Sequence, residues 1–237
     1  MVVKNILKPE KLPLLTVALG SLGLVLRMLL YMVAVDAKNL VRMGHPPEIL
    51  LWLVTIAAAV LIINAVRKGY SVNFGNARMG GLGTAVMAAG VVITVLEGGI
   101  APTGLEKIRD LLGLLSGAGL AAAAVSRWQG KQPFFLLYGI ICVFFAIHMV
   151  SCYQLWSSNP QIQDYVFTLA ACIGLMLFSY QQAAFYAGIG KEKWLLAMGL
   201  VSVFSCLVCV SGTENPILYL TGGIWGVTNL CCPTTGE

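Results

Sequence analysis

Hydrophobic and polar positions alternate along this chain in long blocks. Eight apolar runs cover about residues 12–35, 48–66, 79–96, 105–126, 133–156, 162–189, 194–212 and 216–231, and short polar breaks separate them. A helix needs about 20 apolar residues to cross a hydrocarbon core of ~30 Å. Lipid admits only helices or closed barrels, and runs this long are not barrel strands. The pattern predicts an all-α fold: a polytopic transmembrane helix bundle of about eight spans, seven being the alternative, joined by short loops. Residues 1–237 read as a single integral membrane domain, because little chain is left outside the runs. The basic segment 1–11 leads into a first run too long for a signal peptide, so that run is read as the first span. The eighth run is the short one. From Pro216 to Cys231 a helix rises only ~24 Å. Asn215-Pro216 marks its start and Pro233 follows its end. A short span and a re-entrant segment both fit.

Composition sharpens the class. The chain is 58% hydrophobic and 11% charged, where a soluble domain is about 45–50% apolar and about 25% charged. That excludes a water-soluble enzyme and a nucleic-acid binder. The net charge of +5 is scattered between the apolar runs, where it sets orientation. Ten basic residues fall on one side: Lys4, Lys8, Lys11, Arg67, Lys68, Arg78, Arg127, Lys131, Lys191 and Lys193. Four fall on the other: Lys38, Arg42, Lys107 and Arg109. The expectation is a multi-pass protein of the cell membrane with its N-terminus in the cytoplasm. Aromatic residues at the run ends read as interface belts, with Tyr70, Trp128, Tyr138 and Trp194 inside and Tyr31, Trp52, Trp156 and Tyr219 outside. Gly69, Gly130 and Gly190 mark the inner turns; their spacing of about 60 is what two spans and their loops occupy anyway.

Small residues predict where helices meet. Gly113, Gly117 and Ala121 form a ridge on the fourth run, Gly81, Ala85 and Ala89 one on the third, and Gly222 and Gly226 one on the eighth. They read as contacts within the chain, with a homodimer seam as the alternative.

Ionisable groups inside spans are the chemical leads. Arg27 lies mid-run and calls for a partner. Glu97 and Asp164 are the acidic candidates; snorkelling to the interface is the alternative. His148 reads as a hydrogen-bonded packing residue, with a proton carrier or ligand as the functional alternative. The sixth run is the most informative. Asp164, Thr168, Cys172, Ser179, Gln182 and Tyr186 share one helical face from end to end. A polar face of that length must meet protein or water, not lipid. Ser202, Ser205, Cys206 and Cys209 give the seventh run a matching small-polar face. The two could line a polar pathway or simply hydrogen-bond between helices. Cys206 and Cys209 also form a CxxC one helical turn apart, a candidate redox pair. Membrane thiol oxidoreductases combine such a pair with a second, loop-borne pair, and no convincing second pair exists here. The seven cysteines lie mostly in apolar runs, which does not suggest a disulfide framework. No phosphate-loop, HExxH or GxSxG motif is present. No catalytic, cofactor or metal site is therefore expected.

The stretch HMVSCYQLWSSNPQIQDYVFTLAACIGLMLFSYQQAAF at 148–185, with GGIWGVTNL at 222–230, resembles uncharacterised multi-pass membrane proteins of anaerobic Gram-positive bacteria. The resemblance implies fold and location only. Three functions fit the residues. The first is a transport- or permeation-related protein, alone or as a subunit, passing a small solute along the sixth-run polar face. The second is a membrane thiol-redox protein using Cys206 and Cys209. The third is a non-catalytic sensor or assembly partner of a membrane complex. The partners implied are the bilayer, a membrane protein or a second copy of the chain, and not nucleic acid.

Overall fold

A computed structural model describes residues 11–34, 44–68, 77–99, 101, 104–156 and 165–230. Among them are eight helices and no strand: α1 Leu12–Ala34, α2 Pro46–Arg67, α3 Ala77–Gly98, α4 Gly104–Trp128, α5 Leu136–Trp156, α6 Val166–Tyr186, α7 Glu192–Cys209 and α8 Pro216–Leu230. Seven are long and apolar enough to cross a membrane. This is a multi-pass integral membrane protein. The 15-residue α8 rises only ~22 Å and falls short of that length.

Local chemistry explains several ends. Two prolines open α2, where their missing N–H groups cost nothing, and the Glu48 carboxylate accepts the Gly44 N–H at 2.7 Å. The fifth helix begins at Leu136, three residues later than the apolar run, because Pro133 and its polar neighbours are left in the turn.

Six helices close a ring. The chain packs α3 on α4, α4 on α5, α5 on α6, α6 on α7, α7 on α8, and α8 back on α3. Helices α1 and α2 lie outside it, both against α7. Their outer faces carry exposed Met32, Val33, Leu53 and Ile56, apolar groups that suit lipid rather than water. The ring interior is filled by fully buried Trp225, Tyr138, Tyr219, Phe144, Phe145 and Phe178. We call the end where α1 starts the near end and the end where α1 finishes the far end.

The small-residue ridges are seams within the chain. A Cβ on Gly113 would meet Val95, and one on Gly117 would meet Val92 and the Ala88 carbonyl. Gly226 sits on Val203 and Gly222 on Leu175. Among the described glycines at helix–helix contacts, the tightest approach to a neighbouring helix's backbone is at Gly174, where a Cβ would lie 3.1 Å from the Ser202 Cα. Gly174 therefore sets the α6–α7 spacing. Leucine there must push the helices apart, an overpacking cost of about 1–3 kcal/mol. Gly174→Leu should lower the thermal midpoint of detergent-purified protein, and an unchanged midpoint would show that this seam has slack.

Candidate functional site

The α6 polar face turns into the ring. Thr168, Cys172, Ser179 and Gln182 are buried, and Tyr186 is half-buried. Asp164 lies outside the described residues. Ser179 donates to the Met176 carbonyl of its own helix at 2.8 Å. Thr168 Oγ1 and Gln182 Oε1 have no hydrogen-bond partner among the described residues. On the α7 face the Ser202 Oγ likewise has no hydrogen-bond partner among the described residues, but the packing is closer. Ser202 and Ser205 lie against Gly174, and Cys206 lies against Gly222 and Gly223. That face is a packed seam. Cys206 and Cys209 are free thiols, both fully buried.

Two polar clusters meet inside the ring. The first is at the far end and joins α5, α6 and α8. The Tyr219 hydroxyl lies 3.4 Å from His148 Nε2 and 3.0 Å from Cys172 Sγ. Cys152 Sγ lies 3.6 Å from the same His148 nitrogen. The His148 ring stacks on Phe144 at 5.7 Å between centroids. Beside this cluster is a cavity of about 20 Å³, lined by Cys152, Tyr165, Thr168, Tyr219 and the turn 212–215. One water needs about 10–15 Å³ by that measure.

The second cluster is at the near end. Tyr138 stacks on Tyr186 at 5.3 Å and on Trp225 at 6.4 Å, and Phe178 meets Trp225 edge-on at 4.9 Å. Tyr138 and Trp225 belong to helices that are not ring neighbours, so this stack spans the interior. The Tyr138 hydroxyl and the Trp225 indole N–H lack hydrogen-bond partners among the described residues. One turn beyond Trp225, Asn229 accepts a 2.6 Å bond from Arg127 Nη1 and donates to the Trp225 carbonyl at 2.8 Å.

Several placements differ from the sequence expectation. Tyr138 and Tyr219, whose place at run ends suggests interface belts, are both fully buried in the ring. Periodicity alone does not say whether an aromatic near a run's end points in or out. By its place at the end of an apolar run, Arg127 reads as a loop charge. It sits inside the last turn of α4, only 2% exposed, bonded to Asn229 and, at 3.4 Å, to Thr84 Oγ1. It ties α3, α4 and α8 together. Glu97 is exposed near the end of α3, a helix outside the α2–α7 surroundings of α1. It is thus not placed as a buried partner for Arg27.

Arg27 does not snorkel; it is 2% exposed. Its Nη1 donates to the Val208 carbonyl at 3.4 Å and its Nη2 to the Tyr31 hydroxyl at 3.3 Å. Its guanidinium carbon lies 5.3 Å from the Phe167 ring centroid. The Val208 carbonyl is in the last turn of α7, where a helix leaves carbonyls unpaired and favours a cation.

Sequence reasoning missed Cys152, Tyr219 and Trp225 as members of these clusters. A signal existed for Cys152, which stands four residues after His148 and so on the same helical face. Among the described residues no group of three or more His, Cys, Asp or Glu side chains is placed to hold a metal ion. No protein-family model, curated protein or solved structure matches the chain.

Proposed function

We propose that the protein is transport- or permeation-related, with the interior of the six-helix ring as the path of a small polar solute. The observation that carries this reading is the burial of the α6 polar face inside the ring with polar atoms left unpaired at both ends, at Thr168 and at Gln182. Tyr138 and Trp225 add two more unpaired groups beside Gln182's end. In a dry interior each orphan costs about 1–3 kcal/mol. Water or a polar solute in the ring removes that cost. The Tyr186–Tyr138–Trp225 stack fills the near end, so the path is closed in this conformation. The bias of basic residues toward the near end supports placing that end in the cytoplasm and the far end outside the cell membrane.

The redox reading is less supported, because both Cys206 and Cys209 are enclosed, whereas reactive thiols are partly exposed. The test is solute entry into proteoliposomes, with a panel of small neutral and charged solutes. Flux above that of empty liposomes, reduced by Gln182→Leu, is expected. Flux indistinguishable from empty liposomes for every solute contradicts the proposal.

A further inference from the structure

The transport reading leaves one buried imidazole unexplained, a side-chain type able both to take up and to release a proton. His148 lies inside the ring, and Tyr219 and Cys152 stand between it and the far-end cavity. His148 itself does not line that cavity, whereas Tyr219, Cys152 and Thr168 do.

The hydrogen bonds around it form a chain with a direction. Cys172 Sγ and Tyr219 Oη are 3.0 Å apart, and Tyr219 Oη and His148 Nε2 are 3.4 Å apart. A thiol and a phenol can each donate and accept. With neutral His148, the Cys172 S–H donates to Tyr219 and the Tyr219 O–H donates to Nε2. With protonated His148, the Nε2–H donates to Tyr219, whose hydroxyl turns to Cys172. The chain reverses without moving a heavy atom. The cavity holds about one water, and the Thr168 hydroxyl lining it is buried and has no partner among the described residues.

We propose that His148 is a proton-exchange site, loaded from the far face through the cavity water and the Tyr219 hydroxyl. The step balances as follows. A hydronium in the cavity gives a proton to Tyr219 Oη, the former Tyr219 O–H bond breaks, and that proton forms the new Nε2–H bond; water is released. The imidazolium so formed lies face to face with Phe144 at 5.7 Å, a favourable cation–π arrangement.

The charged and titratable groups around it are few. From α4 come Arg109 and Asp110, paired with each other at 2.8 Å, with Asp110 also accepting the Ala101 N–H. From α6 comes Cys172, from α8 Tyr219, and from its own helix Cys152. Glu214 stands exposed at the cavity mouth. Asp164 lies outside the described residues. The Arg109–Asp110 pair is neutral as a unit, so protonating His148 adds one net charge to the cluster. That is the property a proton-coupled path needs, and here the inference rests on the transport reading.

The chain has two histidines, so His45→Gln leaves His148 as the only imidazole signal. The experiment is nitrogen NMR of the full chain, labelled in its histidine side chain and held in lipid nanodiscs, between pH 8 and pH 4. The expected result is a reversible shift of the Nε2 signal with exchange against water protons. Tyr219→Phe should slow that exchange at least tenfold. Thr168→Val, which removes the cavity hydroxyl and leaves the chain intact, should slow it less. A single neutral form over the whole range, or exchange unchanged in both variants, overturns the proposal. Solute flux with a silent His148 removes the proton site and leaves the path. A titrating His148 without any flux removes the path and leaves the proton site.

Discussion

Arg127→Ala is expected to destabilise the protein by about 3 kcal/mol, a fall of roughly 6–12 °C in thermal midpoint. The bond from Arg127 Nη1 to Asn229 is short at 2.6 Å, and a hydrogen bond to a charged group contributes about 1.5–3 kcal/mol. Truncation also leaves Asn229, 1% exposed, without its donor, and a hole against Gly80 and Thr84. One effect opposes these: the guanidinium no longer has to be buried. The partners are neutral, so replacing both ends by apolar groups should restore much of the loss. Arg127→Met with Asn229→Leu should lie within about 1 kcal/mol of the parent. Thermal unfolding in detergent measures both. An Arg127→Ala protein as stable as the parent would mean that α3, α4 and α8 are held by packing alone.

Arg27→Ala is expected to cost a similar amount, about 3 kcal/mol, for different reasons. The side chain caps the last turn of α7 at Val208 and lies over the Phe167 and Tyr31 rings at 5.3 and 5.7 Å. A desolvated cation–π contact contributes about 2 kcal/mol and a helix C-terminal cation about 0.3–1 kcal/mol. Arg27→Lys keeps the charge but loses the flat face, so it should fall between parent and alanine. If lysine proves as damaging as alanine, the stacking of Arg27 on Phe167 of α6 outweighs its charge at the α7 C-terminus.

The spans were legible because bilayer thickness imposes a length on apolar runs, and the α6 face was legible because Thr168, Cys172, Ser179 and Gln182 fall at helical spacing. Ring closure was not. It depends on α3 meeting α8, where Gly83 fits against Thr228 and Gly90 against Thr221. One sequence shows that these residues are small, not which helix they touch. Arg127 was hidden for a related reason. A basic residue at the end of an apolar run looks like a topology signal whether it points to water or, as here, into the bundle. The inward aromatics Tyr138, Tyr219 and Trp225 share that ambiguity. The His148–Cys152 pair was readable from spacing alone, but its link to Cys172 and Tyr219 joins positions 20 or more residues apart and needed the fold.

Water access at the middle of α6 tests the central claim most directly. Ser179 is fully buried on the polar face, between the two polar clusters. A suitable host replaces all seven cysteines, Cys142, Cys152, Cys172, Cys206, Cys209, Cys231 and Cys232, by Ser or Ala. Ser179→Cys in that host is then exposed to a small membrane-impermeant thiol reagent in liposomes, beside a loop-cysteine control. A ring that opens as a polar path predicts labelling of Ser179→Cys, slower than the control and blocked when the aromatic stack is locked by cooling. No labelling of Ser179→Cys while the control reacts to completion would contradict the account and leave α6 a packing helix.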